Sequence, residues 1–215
     1  MMESKTRIGA VVMKKLDIIK TYYDNNMEKQ LPEYGILGWE SEEAQHLRFD
    51  MLLSSIALDG RKLLDVGCGT GNLLEYMISK GIKAEYTGID ILEKMIAIAK
   101  GKKLAGSFMH MDIFKNNIFG RNSFDVVYTS GIFNLNLGNN REFLKNALEL
   151  FLDISGDAVV FNLLHVDSPD REDKYFYFHP DEVRDILAPL AGRLAKAEFI
   201  ESYLKNDFTV VVHKV

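Results

Sequence analysis

The spacing of apolar residues changes once along the chain, near residue 60. Before it, apolar residues recur every three or four positions, which predicts amphipathic helices. The first helical face consists of Val11, Val12, Leu16, Ile19 and Tyr23. That pattern ends at Asn25-Asn26, and a loop then reaches Trp39. Ser41 followed by two glutamates is typical of a helix N-cap with acidic residues in the first turn, so residues 1–60 are predicted to form a helical cap.

From Lys62 onward, short apolar runs alternate with helical patterns. The runs predict strands at 62–66, 85–89, 106–109, 124–129, 157–163, 197–204 and 207–213. Helices are predicted between them at 70–80, 92–100, 140–154 and 180–191. This alternation indicates an α/β fold, a doubly wound seven-stranded sheet in three layers. Only Lys205-Asn206 separates the last two runs, so the sheet is expected to be mostly parallel with an antiparallel C-terminal hairpin strand.

Composition narrows the classes of protein that fit. Of 215 residues, 47% are hydrophobic and 27% are charged, which suits a globular domain. The net charge of −5 disfavours a nucleic-acid partner, because phosphate binding needs clustered cations. Cys68 is the only cysteine, which fits a reducing cytoplasm. No membrane segment or signal peptide is predicted, and a monomer or a homodimer is expected.

A glycine-rich turn follows the first predicted strand, in the segment Leu63-Leu64-Asp65-Val66-Gly67-Cys68-Gly69-Thr70-Gly71. Glycines at this point allow a tight turn and a close approach of a ligand to the backbone. The spacing is G-x-G-x-G, whereas the dinucleotide fingerprint is G-x-G-x-x-G. The turn therefore indicates an adenosine-type ligand rather than a dinucleotide, although an ordinary strand–turn–helix corner has the same elements.

This segment resembles the first motif of the class I S-adenosylmethionine-dependent methyltransferases, which have a Rossmann-like core. The resemblance implies S-adenosylmethionine as the cofactor and backbone contacts from Gly67 and Gly69. It implies that Asp65 lies near the methionine ammonium group. Cys68, within the same turn, is assigned to the cofactor site as well.

Two further acidic residues follow the next two predicted strands. Asp90 ends Tyr86-Thr87-Gly88-Ile89-Asp90, where a carboxylate can accept hydrogen bonds from both ribose hydroxyls. Asp90 can also serve as a helix N-cap, and the two roles are compatible. By resemblance, Asp112 accepts from the adenine amino group, with Ile91 and Ile113 beside the cofactor. A solvated loop position is the simpler interpretation of Asp112.

The fourth predicted strand leads into Ser130-Gly131-Ile132-Phe133-Asn134. This strand end should face the transferred methyl group, and Ser130 is assigned to the cofactor site. Methyltransferases that act on nucleic-acid amino groups carry an Asn/Asp-Pro-Pro-aromatic tetrad at this place. The tetrad is absent here, which favours a small-molecule acceptor.

Four residues outside the motifs are candidates for the methyl-transfer side. Trp39 could lie over the sulfonium or the adenine, or could simply pack the cap. Arg48 could clamp the methionine carboxylate, or could form a surface ion pair with a glutamate. His165 is predicted as a general base and Asn134 as a second catalytic residue.

Two other functions remain open at this level. A nicotinamide-dependent oxidoreductase would share the glycine turn and Asp90, although the turn's spacing disfavours it. A non-catalytic module that binds S-adenosylmethionine would share every motif. No metal site is predicted, because the histidines are scattered and no paired-cysteine motif occurs.

Overall fold

The computed structural model describes the backbone of residues 2–215 and the side chains of residues 15–215. Val11 and Val12 of the predicted helical face therefore lie outside the described side chains. The helices are α1 Met2–Glu28, α2 Glu33–Ile36, α3 Glu42–Ser55, α4 Asn72–Ser79, α5 Glu93–Gly101, α6 Asn140–Ile154 and α7 Pro180–Leu187. The strands are β1 Lys62–Val66, β2 Glu85–Asp90, β3 Ser107–His110, β4 Phe124–Thr129, β5 Ser155–Leu164, β6 Leu194–Leu204 and β7 Asp207–Lys214. A 3₁₀ helix at Ala188–Arg193 follows α7.

The chain forms two compact units, one that ends at Gln45 and one that runs from His46 to Val215. The boundary falls earlier than the predicted end of the cap at residue 60. The difference arises because Phe49 and Leu52 of α3 are buried in a hydrophobic cluster with β1 and α4. The second helix of the predicted cap therefore contributes, from His46 onward, to the sheet unit.

The first unit contains α1 and α2. Helix α1 continues through Asn25-Asn26 to Glu28, two residues beyond the predicted end. Asn26 does not stop the helix, because its side-chain amide donates to the Ile36 carbonyl at 3.2 Å instead of competing for local backbone groups. Ser41 Oγ accepts from the Ala44 N–H at 3.1 Å, so the predicted N-cap of α3 is confirmed.

The second unit is built on one sheet with the strand order β3-β2-β1-β4-β5-β7-β6. Strands β1 to β5 are parallel, and β7 lies antiparallel between β5 and β6. The predicted mostly parallel seven-stranded fold with its antiparallel C-terminal hairpin is confirmed. The order reverses between β1 and β4, and ligands of such sheets bind outside the carboxyl ends of the strands at that point.

Helices cover both faces of the sheet. One hydrophobic cluster contains residues of α6 and α7, and the other contains residues of α3, α4 and α5. The inner strands are buried on both faces, which explains why they appear in the sequence as continuous apolar runs. Within the part of the chain that the structure describes, no helix combines the length and apolarity required to cross a membrane.

Candidate active site

The glycine turn connects β1 to α4 at the point where the strand order reverses. Gly67, Gly69 and Gly71 have φ values of +78°, +54° and +83°, a region that other residues rarely adopt. The N–H groups of Gly67 and Cys68 both donate to the Ile89 carbonyl, at 2.8 and 3.0 Å. The turn is therefore anchored to the end of β2, and its backbone is fixed before any ligand binds.

Asp90 fixes the same turn from the side of β2. Its Oδ2 accepts from the Gly69 N–H at 2.9 Å, and its Oδ1 accepts from the Leu92 N–H at 2.8 Å. Burial raises the pKa of Asp90, and these two N–H groups oppose that shift. Each carboxylate oxygen has a second lone pair, so two acceptor positions remain for ribose hydroxyls. Leu92, not Asp90, is the N-cap of α5, so the predicted helix-capping role of Asp90 is wrong, whereas its ribose role stays a prediction.

Asp65 lies at the base of the site with little exposure to solvent. The Tyr86 hydroxyl donates to its Oδ2 at 2.6 Å. Burial raises the pKa of Asp65 to about 7, the Tyr86 hydrogen bond opposes this, and the nearby Asp90 adds to it. No lysine or arginine among the described residues pairs with Asp65. A buried carboxyl group without a cation fits the ammonium group of a bound methionine moiety.

The loop after β4 lies directly against the glycine turn. A Cβ atom added at Gly67 would overlap the Cγ2 methyl of Ile132, so only glycine fits at this position. Gly131 has a φ of +92° and donates its N–H to Asn162 Oδ1 at 3.1 Å. The two loops that would enclose a methyl donor are thus in contact, and each is fixed by backbone hydrogen bonds.

Three side-chain oxygens at the end of β4 are buried without a hydrogen-bond partner of good geometry. They belong to Tyr128, Ser130 and Asn134. Burial raises the pKa of Tyr128 and the Ser130 hydroxyl opposes that shift, so these two hydroxyls face each other, and Asn134 Oδ1 is left for a ligand or ordered water. Asn134 also has a fixed backbone, because its N–H donates to Gly131 O and its carbonyl accepts from Phe176 N–H.

The residues predicted to face the adenine follow β2 and β3, which are neighbours in the sheet. Asp112 Oδ1 accepts from the Phe114 N–H at 3.2 Å, and Oδ2 lies 3.2 Å from Lys115 Nζ. Ile113 is buried in the core cluster, and the Ile91 carbonyl lies 3.0 Å from His110 Nε2. Their contacts with adenine stay predictions.

His165 does not have the geometry of a general base. Its Nδ1 accepts from the Asp167 N–H at 3.0 Å, so the proton of the neutral ring is on Nε2. Nε2 lies 3.8 Å from Glu201 Oε2. Neither ring nitrogen is therefore a free acceptor, and the structure gives His165 a role in the turn after β5 rather than the predicted role in proton transfer.

Arg48 is buried rather than on the surface, and it pairs with Asp207. Its Nε and Nη2 donate to Asp207 Oδ2 at 2.9 and 2.7 Å, and both side chains are buried. A guanidinium held by a carboxylate in this way does not support the predicted clamp on the methionine carboxylate. Trp39 belongs to the first unit, where its N–H donates to the Tyr34 carbonyl, and its contact with the cofactor stays a prediction.

Two residues that lie behind the site are not part of any motif in the sequence. Asn162 is inside an apolar strand and Asp207 follows a turn-like Lys-Asn pair, so neither stands out in the sequence. Both are only 1% exposed, and they contact each other at 3.0 Å. A polar residue inside a predicted buried strand was the one available signal, because such a residue needs a partner.

The comparisons with known proteins agree with this geometry. Residues 63–152 match the family described as a methyltransferase domain, and the match covers β1 through most of α6. The chain therefore contains a methyltransferase domain of the class I S-adenosylmethionine-dependent type. S-adenosylmethionine is accordingly the cofactor of this methyltransferase, and the resemblance drawn from the glycine turn is confirmed.

Three known proteins illustrate the similarity. A Mycobacterium tuberculosis protein with a provisional methyltransferase name is 28% identical over 169 residues, 74% of this chain and 96% of that protein. The ubiquinone biosynthesis O-methyltransferase of Dechloromonas aromatica is 48% identical over 54 residues, 25% of this chain and only 22% of that enzyme. The magnesium protoporphyrin IX methyltransferase of Synechocystis PCC 6803, solved with bound SAH, has a TM-score of 0.59 at 17% identity, over 80% of this chain and 82% of that one. The similarity to the Synechocystis enzyme shows only that the two chains share a fold.

Among the described residues, no group of three or more histidine, cysteine, aspartate or glutamate side chains has the arrangement needed to hold a metal ion.

Proposed function

We propose that this methyltransferase transfers a methyl group from S-adenosylmethionine to a small-molecule acceptor bound against the loop after β4. The sulfonium of the cofactor supplies an already activated methyl group, so the residues of the chain mainly bind, orient and exclude water. The observation that carries the proposal is Asp65, a buried carboxyl group for which the described residues supply no cation, beside the glycine turn and Asp90.

The proposed cofactor contacts use the hydrogen-bonding positions that are not occupied within the protein. Asp90 has two lone pairs left for the ribose hydroxyls, and Asp65 has a carboxyl group for the ammonium. Gly67 and Gly69 supply backbone surface without side chains. The remaining predicted contacts are those of Cys68, Ile91, Ser130, Asp112, Ile113 and Trp39.

Asn134 is the residue we propose to contact the acceptor. Its backbone is held on both sides, and Asn140 Nδ2 donates to the carbonyls of Phe133 and Leu135 on either side of it, at 3.1 and 2.7 Å. The unpartnered Asn134 Oδ1 can therefore accept a hydrogen bond with little reorganisation. This favours an acceptor that carries an O–H or N–H group at its reacting atom.

A small molecule fits the charge of the chain better than a nucleic acid does. The net charge is −5, which disfavours a phosphate-rich partner. We further propose that the protein acts in the cytoplasm, which a single buried cysteine fits, as a monomer or a homodimer.

The proposal is tested with methyl-labelled S-adenosylmethionine and a panel of small hydroxyl, amine, thiol and carboxylate compounds. We expect label transfer and release of S-adenosylhomocysteine with at least one protic acceptor. The variant Asn134→Ala should lower kcat/KM roughly tenfold or more, as loss of a substrate hydrogen bond does. Asn117→Ala, an exposed asparagine in the loop after β3, is the control and should leave it unchanged. Binding of the cofactor without transfer to any compound would indicate a non-catalytic module, and an unchanged Asn134→Ala would remove that residue from the acceptor site.

A further inference from the structure

A buried polar network joins the last strand of the sheet to the loop after β4. Because β7 is antiparallel, its first residue lies at the edge where the parallel strands end, with Asp207 opposite Leu164 of β5. Asp207 is only 1% exposed. Its carboxylate accepts from Arg48, from the Tyr203 hydroxyl at 2.6 Å, and from Asn162 Nδ2 at 3.1 and 3.0 Å. Burial raises the pKa of Asp207, and Arg48 is the largest opposing influence.

The carboxylate determines the direction of the Asn162 amide. Asp207 presents acceptors only, so the NH₂ group of Asn162 must face it and the amide oxygen must face away. That oxygen accepts the N–H of Gly131, which has a φ of +92°. The position of the Gly131 peptide therefore depends on Asn162, and the orientation of Asn162 depends on Asp207.

The Gly131 peptide in turn sets the distance between two loops. Ile132 follows directly, and its Cγ2 methyl occupies the space where a side chain of Gly67 would be. A shift of the Gly131 peptide moves Ile132 relative to the glycine turn. Any ligand group that lies between the two loops is affected by that shift, and the methyl-bearing sulfur of the cofactor is expected at this place.

A contribution to stability does not by itself explain why polar residues occupy these buried positions. Buried ion pairs such as Arg48–Asp207 are often no more stabilising than well-packed apolar side chains of similar volume. Fixed orientation is what such a network supplies that apolar residues cannot.

We propose that Asn162, oriented by Asp207, is a positioning residue that fixes the loop after β4 beside the expected methyl donor. It holds the Gly131 peptide and with it the gap between Ile132 and Gly67. The predicted effect on cofactor binding rests on the proposed function, whereas the predicted effect on the position of the Gly131 peptide does not.

The test compares Asn162→Leu with Thr209→Val. Thr209 is equally buried and lies opposite Asn162 on β7, where it contacts Tyr203 rather than Gly131. Asn162→Leu should speed hydrogen exchange at the Gly131 amide and weaken S-adenosylmethionine binding, each by roughly three- to tenfold. Thr209→Val should lower the melting temperature, but it should neither speed exchange at the Gly131 amide nor weaken S-adenosylmethionine binding. If Asn162→Leu does not fold, Asn162→Ser replaces it, with the same expectations.

The outcomes separate this inference from the proposed function. A Gly131 amide that exchanges at the same rate in wild type and in the Asn162 variants overturns the positioning role, whatever the cofactor does. Faster exchange with unchanged binding of S-adenosylmethionine overturns the link to the cofactor. A wild-type protein that does not bind S-adenosylmethionine at all overturns the proposed function, while the exchange comparison still decides the role of Asn162.

Discussion

The Tyr86 hydroxyl donates a hydrogen bond to Asp65 Oδ2 across 2.6 Å, and both residues are only 3% exposed. The hydrogen bond favours the charged carboxylate, but burial outweighs it and holds the pKa of Asp65 at about 7. The carboxyl group therefore changes its protonation state close to neutral pH, before any cofactor is bound.

The stability of the cofactor-free protein should depend on this group. The folded pKa of about 7 is above the ordinary value of 3.8, so the folded state binds the proton more tightly. The stability that Asp65 contributes is fully present below about pH 3.8 and is lost as the pH rises through 7. Asp65→Asn should remove that loss and raise the melting temperature at pH 8, by about 2–4 °C for each kcal/mol recovered.

The check is a series of thermal melts of wild type and Asp65→Asn between pH 5 and pH 9. Tyr86→Phe is the companion variant. It removes a hydrogen bond that lowers the pKa of Asp65, so it should move the loss of stability to higher pH. Parallel curves for wild type and Asp65→Asn would contradict the assignment.

The affinity for S-adenosylmethionine should also depend on the protonation of Asp65, but it should rise with pH, whereas the stability falls. The methionine ammonium group favours the charged form of Asp65, so affinity should increase as the pH rises from 6 to 8. Binding near pH 7 should release a proton, which calorimetry in two buffers of different ionisation enthalpy detects. A pH-independent affinity with no proton release would show that the ammonium binds elsewhere.

Gly67 should tolerate no side chain. In Gly67→Ala a Cβ atom would combine a φ of +78° with an overlap on Ile132, whose branched side chain has little rotameric freedom. Gly60→Ala is the matched control, with a φ of +72° and no neighbour within 4 Å. We expect a cost of about 1–2 kcal/mol for the control and roughly 1–3 kcal/mol more for Gly67→Ala.

Denaturant unfolding of both variants measures the difference. Adding Ile132→Ala to Gly67→Ala should recover part of the additional loss, because it removes the overlapping methyl group. Equal costs at Gly67 and Gly60 would show that the two loops are not in the contact described.

The thiol of Cys68 should be unreactive in the folded protein. Burial is the largest cause that raises its pKa, and the nearby Asp65 and Asp90 add to the shift. Only the thiolate reacts with alkylating reagents, so iodoacetamide should label the chain only as it unfolds. Rapid labelling under native conditions, at a rate that denaturant does not increase, would contradict the buried placement.

The order of the elements could be predicted because burial on both faces leaves a direct signature. Strands such as β1 and β4 are mostly apolar runs bounded by turn residues, and the predicted bounds 62–66 and 124–129 agree with the structure. The cofactor motif could also be read, since its glycines and Asp90 act through the backbone close to their own position in the chain. Local chemistry of this kind is visible in a single sequence.

Long-range polar pairs could not be read in this way. Arg48 and Asp207 are 159 positions apart, and only the fold brings them together. The sequence therefore favoured a ligand or a nearby glutamate as the partner of Arg48. His165 was misjudged for a related reason, because a strand-end position does not show that its Nδ1 caps a turn at Asp167.

Calorimetric titration with S-adenosylmethionine, S-adenosylhomocysteine and NAD tests whether the glycine turn and Asp90 bind an adenosyl cofactor. Wild type should bind both adenosyl ligands and not NAD, and Asp90→Ala should weaken their binding by at least tenfold. Asp59→Ala should bind normally, because Asp59 accepts from the Lys83 N–H before β2 begins, outside the cofactor site. Failure of wild type to bind either adenosyl ligand, or binding of NAD in their place, would overturn the assignment of S-adenosylmethionine as the cofactor.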